Sequence, residues 1–132
     1  MIKEIGKYIE NNTSLVLGDD LIVGHYLPDT QEDCVSLLET QGGTSNFYLP
    51  DYKEFHLQAL SRGTTYFTAR DFAYLIYDLL QGTQGFDLPV VTTGKLYYVN
   101  TITASNLPQS LGPAENNLFE ISANYIFRIQ DQ

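Results

Sequence analysis

The side chains best suited to chemistry in this chain are one cysteine, two histidines and a few grouped carboxylates. Cys34 lies in the strand-like run Cys34-Val35-Ser36-Leu37-Leu38, where a free cysteine reads as a small buried hydrophobe. Pairing it with His56 as a nucleophile would need an electropositive, partly open setting, and its neighbourhood is acidic. His25 and His56 fall on different predicted strands, with no Cys, Asp or Glu at ligand spacing. A metal needs three or four such groups converging. Asp19-Asp20 follow Gly18 between two apolar runs, and adjacent residues point apart, so they read as a turn and not as ligands. Asp29, Glu32 and Asp33 form a solvated acidic loop. Gly42-Gly43 suggests a phosphate cradle, but no Lys follows and no strand leads into a helix there. The expectation is no catalytic residue, no cofactor and no metal.

The composition narrows the field further. Aromatic residues comprise ten Tyr, seven Phe and no Trp. Tyrosine suits interfaces and half-buried sheet faces alike, so its abundance decides nothing alone. Net charge is −9 and the basic residues Lys3, Lys7, Lys53, Arg62, Arg70, Lys95 and Arg128 are scattered singly. Nucleic-acid binders cluster such residues to neutralise phosphates, so direct DNA binding is disfavoured. A lone cysteine fits synthesis in a reducing cytoplasm. The first ten residues are too charged for a signal segment. The longest apolar run, Phe72 to Tyr77, is too short to cross a membrane.

The elements that would position any site follow from periodicity. Ile2, Ile5 and Ile9 at helical spacing predict a short amphipathic helix ending near Asn11-Asn12, with Lys3, Glu4, Lys7 and Glu10 elsewhere on the wheel. Leu15-Val16-Leu17 and Leu21-Ile22-Val23 bracket the Gly18 turn and predict a hairpin or a tight strand-to-strand turn. A strand is expected around Cys34 to Thr40 and another over Glu54 to Arg62, where Phe55, Leu57 and Ala59 alternate with polar residues. Leu60 is out of phase there, and Gly63 ends the run. Thr68 as N-cap, Asp71 three residues on, the stripe Phe72, Leu75, Ile76 and Leu79, and a Gly82 stop predict the main helix over Thr68–Gln81. Gly82 to Pro89 reads as turns.

Two stretches of two-residue alternation dominate the region from Lys95 to Ile129. In the second, Phe119, Ile121, Ala123, Tyr125, Phe127 and Ile129 share one face, and Ile126 alone interrupts the polar series. The predicted fold is α+β: an antiparallel or mixed sheet with an N-terminal helix and one major helix packed on it, as one domain over residues 1–132. Two segments carry no pattern. One is the tongue from Gln41 to Asn46; the other runs from Thr103 to Asn117, long enough to expect a functional or disordered loop.

One combination of motifs resembles a known family. Phe55-His56-Leu57-Gln58-Ala59-Leu60-Ser61-Arg62-Gly63 is followed, after a few residues, by Ala69-Arg70-Asp71-Phe72-Ala73-Tyr74, with Ile76, Leu79 and Leu80. A strand ending in Arg-Gly before an Ala-Arg-led helix ending in Leu-Leu resembles the minor capsid and tail terminator proteins of long-tailed bacteriophages. The N-terminal helix and the alternating run from Phe119 to Phe127 agree with that resemblance, which spans most of the chain.

The resemblance implies a structural virion protein at the tail end, or head–tail junction, assembled in the host bacterial cytoplasm. Such proteins form a hexameric ring on the tail tube, stop tube polymerisation and offer a docking face for the head and neck. The implied partners are further copies of the chain, the tail tube protein and a head-completion or stopper protein; the state of the subunit before assembly, monomer or not, stays open. DNA would pass through the ring without specific binding, which an acidic lumen favours. The family carries no catalytic residues to transfer. Contact candidates are the tongue (Gln41, Gly42, Gly43, Thr44, Ser45, Asn46), the long loop (Leu107, Pro108, Gln109, Leu111, Gly112) and Arg62, whose other reading is an ion pair inside the fold. The alternatives are another neck component or, from a different class, a small-ligand module using a Tyr-rich sheet face. A hydrolase built on Cys34 comes behind both.

Overall fold

Alternation in the sequence becomes one mixed sheet with both helices on the same side. The computed structural model describes residues 1–24, 32–40, 48–113 and 117–131. In chain order the elements are α1 (Ile2–Asn12), β1 (Leu21–Val23), β2 (Cys34–Glu39), β3 (Tyr52–Gly63), α2 (Tyr66–Leu80), β4 (Gln84–Asp87), β5 (Tyr97–Ala104), β6 (Gln109–Pro113) and β7 (Phe119–Asp131). Strand order is β1-β2-β3-β7-β5-β4, with β6 also on β7. β1 runs parallel to β2, and the other pairs are antiparallel. This is the expected α+β class.

β7 organises the sheet. Its inward residues Ile121, Ala123, Tyr125, Phe127 and Ile129 are all buried, while Phe119 is only half-buried. It pairs with β3 from Tyr52–Gln130 to Gly63–Phe119. On its other edge, β5 takes the C-terminal half and β6 the N-terminal part. Phe55, Leu57 and Ala59 of β3 join the same apolar layer. Burying such side chains contributes roughly 1.5–3 kcal/mol each for the larger ones.

Both helices close this layer. Ile5 and Ile9 of α1 are buried and Ile2 packs at the margin. Glu4 departs from the expected outer face: it is buried, 3.5 Å from the Met1 amine. The start and inner face of α2 also differ from expectation. Its N-cap is Thr65, whose Oγ1 accepts from the Thr68 N–H at 3.1 Å, so Tyr66 and Phe67 belong to the helix. Its fully buried face is Ala69, Ala73, Ile76 and Leu80; of the expected stripe, Phe72 and Leu79 pack half-buried against the core and only Leu75 turns outward, at 37% exposure. Small alanines let α2 lie close to Ile121. Gly82, at φ 77°, follows the last turn as expected for a left-handed stop.

Three segments resolve differently from their patterns. Leu15–Leu17 is no hairpin partner: Leu17 makes an isolated bridge to Leu21, and β1 pairs with β2. The Gly82–Pro89 stretch contains β4, an edge strand whose Phe86 stacks on Tyr8 of α1 at 4.7 Å. The long loop from Thr103 to Asn117 contains β6. The out-of-phase Leu60 is also explained. It points to the helix-free face, where it and Cys34 are buried with Ile22 and Leu38 beside them.

Candidate functional site

Among the described residues, those first considered for chemistry are not assembled into a reactive group. Cys34 sits opposite Arg62 across β2 and β3, whereas His56 lies level with Thr40. Six residues of strand separate them, roughly 20 Å. Cys34 is fully buried, and desolvation pushes its thiol pKa up despite the Arg62 guanidinium, which pulls it down. Asp20 Oδ1 accepts from the Val16 N–H at 2.6 Å, which makes Asp19-Asp20 part of a turn. Asp33 Oδ1 accepts from the Thr64 N–H at 3.0 Å and so ties β2 to the turn before α2. His56 lies 3.8 Å from Glu54, which also reaches Arg128 at 3.5 Å. His25, Asp29 and the tongue residues Gln41, Gly42, Gly43, Thr44, Ser45 and Asn46 lie outside the described residues.

The remaining contact candidates fall in two settings. Arg62 is 5% exposed and its Nη2 lies 3.3 Å from Glu120 Oε1, directly across the β3–β7 register. This is the ion pair inside the fold. Leu107 and Leu111 are exposed, at 62% and 55%. Leu107 and Pro108 lead into β6, where Gln109 opposes Ser122. Gly112 takes φ 83°, a left-handed conformation that favours glycine and coincides with the irregular register between Ser110 and Pro113. Among the described strands β6 has no second neighbour, so its outer edge keeps unpaired backbone groups.

Apolar groups missed by periodicity gather at opposite ends of the sheet. At the end where β3 finishes, Tyr66 and Phe67 are 40% and 71% exposed, and Tyr66 meets both Phe67 and Phe119 edge-to-face. At the other end, Val90, Val91 and Leu96 stand out from the loop joining β4 to β5. At that end too, Tyr48, Leu49, Pro50, Asp51, Tyr52 and Gln130 line a recess of about 360 Å³. The signal available in the sequence was the Tyr66-Phe67 pair directly after Thr64-Thr65, which a helix start at Thr68 discards.

Comparison with known proteins gives these surfaces a context. No curated protein matches the chain. A chain in the solved virion of a native gene transfer agent particle shares the fold, with a TM-score of 0.56, 17% identity, and coverage of 86% of this chain and 80% of that one. The family model described as bacteriophage tail terminator protein matches residues 8–131. That match takes in every strand and the whole of α2, so the chain belongs to the bacteriophage tail terminator family and is a structural protein of the phage tail.

Proposed function

We propose that this protein caps the end of the phage tail tube as a hexameric ring, stops tube polymerisation, and presents a docking face to the head and neck. The observation that carries the reading is the family match over residues 8–131, which covers nearly the whole fold. Ring closure is then a heterologous contact repeated around an axis. The chain acts by recognition and as one domain over residues 1–132, without catalysis. Its partners are copies of itself, the tail tube protein and a head-completion or stopper protein, joined at the tail end after assembly in the host cytoplasm. A net charge of −9 supports a lumen along which DNA slides without sticking.

The proposed contact surface keeps Leu107, Pro108, Gln109, Leu111 and Gly112, on and before β6, and the 41–46 tongue. Arg62 is proposed as internal, for its burial against Glu120. In a phage lacking this gene, electron microscopy should show tails of uncontrolled length that fail to join heads, restored by the wild-type chain. Tails of normal length that still fail to join would instead favour a neck component. A small ligand that raises the melting temperature would favour the ligand-binding alternative.

A further inference from the structure

Phe67 is the most exposed phenylalanine described, and its backbone is fixed in the first turn of α2. Gly63 ends β3 so close to α2 that a Cβ there would lie 2.6 Å from the Ala69 nitrogen. Thr65 caps the helix and Asp33 holds the Thr64 N–H. Tyr66 braces the ring from one side and is itself braced by Phe119. Asp71 lies four residues on, next to Phe67 on the helix surface, and is exposed. This end of the protein is therefore an apolar knob on a capped helix start, edged by the exposed Arg70 and Asp71, and the fixed backbone keeps the ordering cost of binding low.

The opposite end offers its complement. Val90, Val91 and Leu96 are 57%, 45% and 48% exposed. Lys95, between Gly94 and Leu96, is exposed and makes no ion pair among the described residues. The loop is also pinned: Leu88 is buried and donates its N–H to Tyr97, and the Lys95 N–H reaches the Thr92 carbonyl at 3.0 Å. The knob and this loop stand at the two ends of β3 and β7, roughly 35 Å apart along the strands. A single copy cannot join them.

We propose that the Tyr66–Phe67 knob of one copy seats on the Val90–Val91–Leu96 loop of the next, with Asp71 facing Lys95. The contact is head-to-tail and heterologous, so each copy gives one knob and receives one. It rests on the ring reading above and names the surfaces that would close the ring. The occupant is a second copy because apolar area and opposite charge are both supplied by this same chain.

The test uses the full chain. In sedimentation up to millimolar concentration, the wild type should self-associate weakly. Phe67→Asp and Val91→Asp should each weaken this by about tenfold or more. Mixed together, these two variants should form a one-to-one heterodimer and nothing larger, because one intact knob meets one intact loop. Phe67→Ser and Val91→Ser repeat the test with smaller changes, and far-ultraviolet dichroism checks folding. Asp71→Lys and Lys95→Glu should each weaken association and, combined in one chain, restore it. A wild type that stays monomeric throughout, variants that associate as it does, or a Val91→Asp chain that still dimerises would overturn the proposal. Tail length separates the two readings. If Phe67→Asp leaves self-association intact but tails overrun, the knob faces the tube protein; capping then stands and the contact between copies falls.

Discussion

At the scale of single residues, the most telling pair is Arg62 with Glu120. The charges are largely withdrawn from water, with side chains 6% and 12% exposed, so removing the Arg62 guanidinium leaves the Glu120 carboxylate uncompensated. Arg62→Ala should cost about 3 kcal/mol in urea denaturation, and replacing both residues by Leu should recover much of that loss. An Arg62→Ala protein of unchanged stability that fails to assemble would return Arg62 to the interface. Titration makes a second residue-scale prediction. Burial raises the pKa of both the Cys34 thiol, ordinarily 9.0, and the Tyr125 hydroxyl, ordinarily 10.0. Both groups stay neutral in the fold after they would ionise in the unfolded chain. Their stabilising effect is complete below about pH 9 and is lost as pH climbs toward the raised values. Melting temperature should fall above pH 9, and the Cys34→Ser, Tyr125→Phe double variant should flatten that fall.

At the scale of elements, α2 gives the clearest contrast. Ile76 is fully buried beneath it, so Ile76→Ala should cost ~2–5 kcal/mol. Leu75→Ala, at a more open position, should stay within about 1 kcal/mol by thermal melting. β6 makes the opposite point. Replacing residues 105–113 with a Gly-Ser bridge should destabilise the protein measurably, because β7 loses its neighbour at Phe119–Ser122. The pairing gives the segment a part in the fold itself. The sequence made β3 and β7 legible because one side of each meets an apolar layer, and that burial imposes alternation. β4 and β6 are edge strands without an alternating buried face, so nothing marks them among glycines and prolines. The inner face of α2 was hidden for a different reason. Alanine carries little hydrophobic signal, yet it decides which side of a helix comes closest to a sheet. Large residues such as Leu75 then mark the flank. The candidate site was less legible still, since an interface is defined by what stays exposed, and exposure follows only once the chain has folded.

For the whole molecule, charge and architecture argue together. Cations are either paired within the fold, as Lys53 is with Asp131, or single, as Lys95 is. No stretch of surface in the described residues gathers enough of them to hold phosphates. The isolated protein should show no salt-sensitive retention of duplex DNA at physiological ionic strength in a filter or mobility assay. Retention that falls steeply with added salt would contradict this.

The central place of β7 also governs how the chain reaches its fold. β3 joins β5 and β6 only through β7, and β7 follows all of them in chain order. Until it inserts, β1, β2 and β3 form one half and β4 and β5 another, each exposing an apolar strand edge. Such long-range pairing is slow to nucleate, because closure entropy is lost before contacts reward it. The last-formed strand therefore acts as a latch. Folding should be a single late event, and mutations along β7, such as Phe127→Ala, should slow refolding more than equal losses in α1.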